Sequence, residues 1–138
     1  MKASKPTSLR GARPKLPRVS EEMKAWSAAL AAEGESWPLV TTRAFFGFTA
    51  LYRRDKIFAL LPHTRAMQSP NALAFKLESP SARMNALLRH DPRIGSTQMQ
   101  KARWFTFEMS CDTDLRAAIE WLDRAYEEAG TPRKHSWT

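Results

Sequence analysis

The sequence predicts an α+β fold of two layers, an antiparallel sheet of about five strands with helices on one face, in the order α-β-β-β-α-β-α. Two observations carry this. Apolar residues recur at spacings of three and four in three separate stretches, each opened by a capping residue and closed by Gly or Pro. Between them lie extended runs, several joined by short links, and consecutive hairpin strands with few helices between them pair antiparallel.

The first helix is expected over residues 21–33. Ser20 can accept a hydrogen bond from an early amide, Glu21 and Glu22 suit the positive end of the dipole, and Met23, Trp26 and Leu30 form one stripe until Gly34 and Pro38. From Thr41 to Phe46 the pattern is extended, and Gly47 interrupts it. Phe48–Arg53 and Lys56–Leu61 then flank Arg54-Asp55, a hairpin signal, with Pro62 closing the second arm. Residues 62–71 read as a loop. The run 72–78 places Leu73, Phe75 and Leu77 on one side, which is a strand with one buried face. Ser79-Pro80 reads as a cap and first helical position, followed by Met84, Leu87 and Leu88 and a stop at Asp91-Pro92. A loop with room for a short extra strand occupies 93–102. Residues 103–109 read as a strand covered on both faces or central in the sheet. Asp112-Thr113-Asp114 caps the third helix, whose stripe is Leu115, Ala118, Ile119, Leu122 and Tyr126, ended by Gly130 and Pro132. The expected core is Trp26, Phe46, Leu51, Phe58, Phe75, Leu87, Trp104, Ile119 and Leu122.

The chain has 138 residues, enough for one domain, placed at 19–130, with a basic arm at 1–18 and a short basic tail at 131–138. Its net charge of +8 belongs to these ends. Lys2, Lys5, Arg10, Arg13, Lys15 and Arg18 stand in the arm with no acid, and Arg133 and Lys134 in the tail, so the stretch 19–132 carries 14 residues of each sign. Pro6, Pro14, Pro17 and Gly11 give the arm a composition that cannot bury enough apolar surface to offset ordering, and a flexible arm is expected. Such an arm either contacts nucleic-acid phosphates or an acidic surface, or only solubilises. No apolar run is long enough to span a membrane and the amino terminus has no apolar stretch behind its charges. With one cysteine, Cys111, a cytoplasmic protein is expected, with no membrane partner.

Residues 41–61 carry a resemblance. Arg43, Phe45-Phe46-Gly47, Leu51-Tyr52 and Phe58-Ala59-Leu60 resemble the succession of an Arg, a Met-Phe-Gly-like turn, a Gly-Leu-Tyr strand and a Phe-Ala-Leu strand in the TfoX/Sxy amino-terminal-domain family, with Phe45 where that family has Met and Thr49-Ala50 in place of a more glycine-rich approach. Leu73–Glu78, His90-Asp91-Pro92 and Lys101–Phe107 are similar to MmcQ/YjbR-like proteins. Both resemblances imply one small two-layer fold over 20–129. The first family includes competence regulators in which this domain accompanies a second one, so an activity needing that second domain is not expected here.

Chemistry is sparsely marked. His63, His90 and His135 do not form a metal-ligand pattern, and neither a metal nor another cofactor is expected. Cys111 lies at a helix start, but Asp112 and Asp114 oppose a lowered thiol pKa, so it reads as buried or idle; the two acids read as capping. No phosphate-binding glycine loop, dinucleotide fingerprint or Gly-x-Ser-x-Gly elbow is present. The aromatic and basic residues of 43–54 and 103–107 would share one sheet, as core on one face or as a stacking platform for single-stranded nucleic acid. The reading that follows is a non-enzymatic interaction or regulatory module acting through its sheet face and basic arm. Arg43, Tyr52, Arg53, Lys101 and Arg103 are the expected partner contacts, and a protein, a nucleic acid or a second copy of the chain the expected partner. The alternatives are nucleic-acid binding by Lys2, Lys5, Arg10, Arg13, Lys15 and Arg18, and an enzyme with a site assembled from loops.

Overall fold

The computed structural model describes residues 18–67, 69–95 and 103–130. The expected α+β architecture is present, with six strands where about five were expected, all neighbours antiparallel in the order β1-β2-β3-β4-β6-β5.

Helix α1 (Glu21–Glu35) starts where the Ser20 hydroxyl accepts from the Met23 amide at 3.0 Å, and it buries Met23, Trp26, Leu30 and Gly34. Gly34 lets α1 approach the sheet closely: a Cβ there would stand 3.1 Å from Leu51 Cδ1, which would have to give by a few tenths of an ångström. Strands β1 (Val40–Phe45), β2 (Phe48–Arg53) and β3 (Lys56–Pro62) form a meander. The β1–β2 turn is Phe46-Gly47, at φ 49° and 87°. Positive φ at both central residues matches the right-handed twist of the strands, which makes this the favoured two-residue hairpin turn. Strand β4 (Ala72–Lys76) joins β3 to β6 (Trp104–Glu108), and β5 (Ile94–Gly95) is the short extra strand, on the outer edge of β6. Helix α2 (Ala82–His90) is capped by Ser81, whose hydroxyl accepts from Met84 N at 3.1 Å, so the start expected at Ser79-Pro80 moves two residues on. Helix α3 (Asp114–Gly130) buries Ala118, Trp121, Leu122, Ala125, Tyr126 and Ala129.

Cross-strand partners share a face of a sheet, because side chains alternate along each strand. Leu51, Ala59, Phe75 and Phe105 are such partners across four strands. Leu51 meets Gly34 of α1, and Phe75 stacks on Trp121 of α3 at 5.4 Å, so this is the helix face. A bulge on β3 opposite Leu51 and Tyr52 turns Phe58 to the same side, where it stacks on Trp37 and meets Tyr126 edge-on. Each such ring contributes about 1.5–3 kcal/mol through burial.

Four core expectations are corrected. Phe46 is 84% exposed because it is a turn residue rather than the end of a strand. Leu87 is exposed at 41%, and Leu88 is buried instead, because Met84 and Leu88, four apart, form the stripe of α2 that meets the core. Ile119 packs only at the core's margin. Trp104 is half-buried, since its register partner is Lys76 and both stand on the face opposite the helices. Strand β6 therefore alternates buried and half-buried residues, with one covered face rather than two.

Candidate functional site

The face turned away from α1 and α3 holds the clearest set of solvent-reaching side chains. On β1 it carries Thr41, Arg43 and Phe45, all exposed; across from them Tyr52 is half-buried, and Phe48 and Ala50 are buried. Ile57 and Leu60 on β3, Lys76 on β4 and Trp104 and Thr106 on β6 continue the surface at intermediate exposure over the buried Ala74. Buried alanines keep the floor low while longer side chains stand around it. Arg43 places its guanidinium carbon 4.7 Å from the Tyr52 ring centroid, a cation–π contact that holds the charge over the face. Lys76 pairs with Glu78 at 3.3 Å, and Glu108 on β6 accepts from Ser69 Oγ at 2.8 Å.

One end of this face is built differently. The Gly47 carbonyl accepts from the amides of His63, Thr64 and Arg65, at 3.1, 2.9 and 3.1 Å. A Cβ at Gly47 would collide with Arg65 Cγ at 2.3 Å, so the Arg65 stem lies directly across the turn. Arg18 bridges Arg65 antiparallel, and Val19 N donates to Thr64 O. The chain that precedes Arg18 therefore joins the domain beside the Phe46-Gly47 turn. Arg18 itself belongs to the fold. Lys2, Lys5, Arg10, Arg13 and Lys15, and Lys101 among the expected partner contacts, lie outside the described residues.

The remaining expected contacts divide. Arg43 and Tyr52 are together on the far face. Arg53 is not available there: it is turned to the helix face, where its guanidinium covers the Tyr126 ring at 4.2 Å and Nη1 donates to the Tyr126 carbonyl at 3.0 Å. Its strand parity, opposite to that of Tyr52, was the signal that separates the two. Arg103 is exposed, at φ 65° just before β6.

The acids Asp91 and Asp114 form a clamp that the sequence did not reveal. Arg93 donates from Nε to Asp91 Oδ1 at 2.9 Å and from Nη1 to Asp114 Oδ1 at 2.9 Å, and the Trp121 indole donates to Asp91 Oδ2 at 3.1 Å. Asp114 Oδ2 also accepts from the amides of Ser110 and Cys111, at 2.8 and 3.3 Å. Burial on its own would raise the Asp91 carboxyl, but hydrogen bonds from Arg93 and Trp121 hold it below the ordinary value. The Ser110 amide, then Arg93, lower Asp114. The Asp91 hydrogen bond raises Arg93. These groups tie the end of α2 and the start of β5 to α3. Asp112, expected as a cap, instead accepts from the Trp26 indole at 2.7 Å and links α1 to the start of α3.

His90 Nδ1 lies 2.8 Å from the Ala86 carbonyl in the last turn of α2. Cys111 is exposed rather than buried, with Sγ 2.9 Å from Thr113 Oγ1. Among the described residues no group of three or more His, Cys, Asp and Glu could hold a metal ion, and no helix is long and apolar enough to cross a membrane.

Compared with protein-family models, with curated proteins and with solved structures, the chain matches none.

Proposed function

We propose that this chain is a non-enzymatic interaction module, of the TfoX amino-terminal and YjbR-like type, that meets an anionic macromolecule with the far face of its sheet and its basic arm. The observation that carries the reading is the placement of cationic residues on and beside the β1–β2 hairpin. Arg18 and Arg65 are bridged at the β1–β2 turn, Arg43 is held over Tyr52 on the adjoining strands, and the five cations of residues 1–17 are attached at Arg18. The body's acids balance its bases in number, so a local cationic surface arises from placement. The carboxylates with shifted pKa support the same reading, because Asp91 and Asp114 are engaged in holding α2, β5 and α3 together. The resemblance over 41–61 supports it as well, since Arg43 and Tyr52 lie within the resembling segment.

The experiment is a low-salt titration of fluorescein-labelled duplex DNA, single-stranded DNA and inorganic polyphosphate with the full chain. It is repeated on a full-length variant carrying Gln at Lys2, Lys5, Arg10, Arg13 and Lys15, and on Arg43→Glu. Binding by the parent that weakens in both variants is expected. No binding to any of the three anions overturns the reading.

A further inference from the structure

The Phe46 side chain is the largest departure from what the sequence leads one to expect. A two-residue turn with positive φ at both positions is made without strain by Asn-Gly or Gly-Gly, and an aromatic residue at its first position is a genuine outlier. Phe46 occupies that position at φ 49° with 84% of its surface exposed, so little burial offsets the backbone cost. The turn is nevertheless firmly held. Three amides converge on the Gly47 carbonyl, the Arg65 stem packs across it, and Phe45 braces the Phe46 ring edge-on, with centroids 4.9 Å apart and planes at 79°. A strained residue kept in place by its surroundings points to a role for its side chain. That role is presentation of a ring to solvent on a rigid support.

Resting on the reading above that the partner is anionic, we propose that the Phe45-Phe46 turn is a stacking site for an unpaired base, which makes single-stranded nucleic acid the partner. The chemistry of the surroundings selects this class. Stacking needs an accessible aromatic face with cations close by to follow the phosphates. Phe46 supplies the face, the Arg65 stem packs across the adjoining Gly47 with Arg18 bridged to Arg65 through the backbone, and Arg43 follows on the same face as Phe45, two residues before it, over the second ring, Tyr52. The chain joined at Arg18 adds five cations and no acid within seventeen residues, complementary to a polyphosphate backbone. A duplex keeps its bases stacked on one another and offers the ring no face, so it engages only the cations. An anionic lipid surface would engage the same cations, but it draws affinity from the apolar area inserted, and here that is confined to two rings, one bracing the other.

The test measures anisotropy of a fluorescein-labelled oligothymidylate of about twelve nucleotides, a duplex of equal length, and sedimentation with vesicles of phosphatidylserine and phosphatidylcholine, all with the full chain at fixed salt. The variants are Phe46→Asn, which suits the turn, and Phe46→Leu, which keeps an apolar side chain without a ring. A base–aromatic stack removed by substitution weakens binding by roughly fivefold to a hundredfold. The expected result is that loss for the single strand in both variants, with duplex affinity unchanged within about twofold. Equal binding of single strand and duplex, both insensitive to Phe46, overturns the stacking site while leaving the anionic-partner reading standing. Ring-dependent binding of vesicles without binding of the single strand overturns it in favour of a lipid surface. Binding of none of the three probes overturns both. Circular dichroism and the melting midpoint of each variant show that it is folded. The Asn variant guards against misfolding, because it should melt no lower than the parent.

Discussion

Replacing Asp114 by Asn tests the clamp that joins α2, β5 and α3, and the structure fixes the size of the effect. Oδ1 accepts from Arg93 and Oδ2 from the amides of Ser110 and Cys111, so all three neighbours are donors. An amide offers one acceptor and one donor. With its oxygen toward Ser110 and Cys111 it turns NH2 against the guanidinium, and flipped it turns NH2 against both amides; either way a donor faces a donor. Hydrogen bonds to charged groups contribute about 1.5–3 kcal/mol. The Arg93 side chain is 35% exposed and keeps Asp91, which lets water compensate part of the loss, so we expect about 2 kcal/mol at neutral pH. Urea unfolding at about pH 7 reads this as a lower midpoint at unchanged slope. The carboxyl's folded-state pKa lies below its ordinary 3.8, so its contribution is present above that value and is lost as pH falls through the folded pKa. The gap between parent and variant must therefore shrink in acid. A loss below about 0.5 kcal/mol at neutral pH, or a gap that does not shrink on acidification, would show that the Asp114 carboxylate does not hold the clamp.

Further substitutions follow from the same geometry. Phe46→Asn leaves stability equal to that of the parent or up to about 1 kcal/mol above it, whereas Phe58→Ala in the core costs about 3–5 kcal/mol in the same urea assay. Gly47→Ala forces a Cβ into the Arg65 stem and a side chain into φ 87°, and lowers the unfolding free energy by about 1–3 kcal/mol, measured by thermal or urea melts. Trp26→Phe leaves Asp112 without its indole donor and lowers stability by about 1–2 kcal/mol, mostly recovered in an Asp112→Ala background, as a double-mutant cycle would show.

The fold was legible because it is written in periodicity. Met23, Trp26 and Leu30 repeat at helical spacing, Leu73, Phe75 and Leu77 at strand spacing, and both sets are buried as expected. The failures fall where local pattern and tertiary geometry part. Phe46 reads as the end of an apolar strand, because nothing in composition signals a two-residue turn with Phe at a positive φ. Arg53 reads as a surface cation, and its fate was decided by Tyr126, 73 residues away in sequence. The clamp of Asp91, Arg93 and Asp114 joins two acids that sequence reading assigns to separate helix ends; only the antiparallel pairing of β5 with β6 brings them to one guanidinium. The candidate surface was half legible, since Arg43 and Tyr52 were identifiable as residues of one sheet but not as a stacked pair beside the attachment point of the arm.

Engagement of an anionic single strand by these cations is read from the salt dependence of oligothymidylate binding by the full chain, followed by anisotropy over about 20–300 mM monovalent salt. With six to eight cations engaged from the arm, Arg18, Arg43 and Arg65, the logarithm of the association constant falls linearly with the logarithm of salt, with a slope of about −4 to −6. No binding at the lowest salt, or an affinity indifferent to salt, would contradict it.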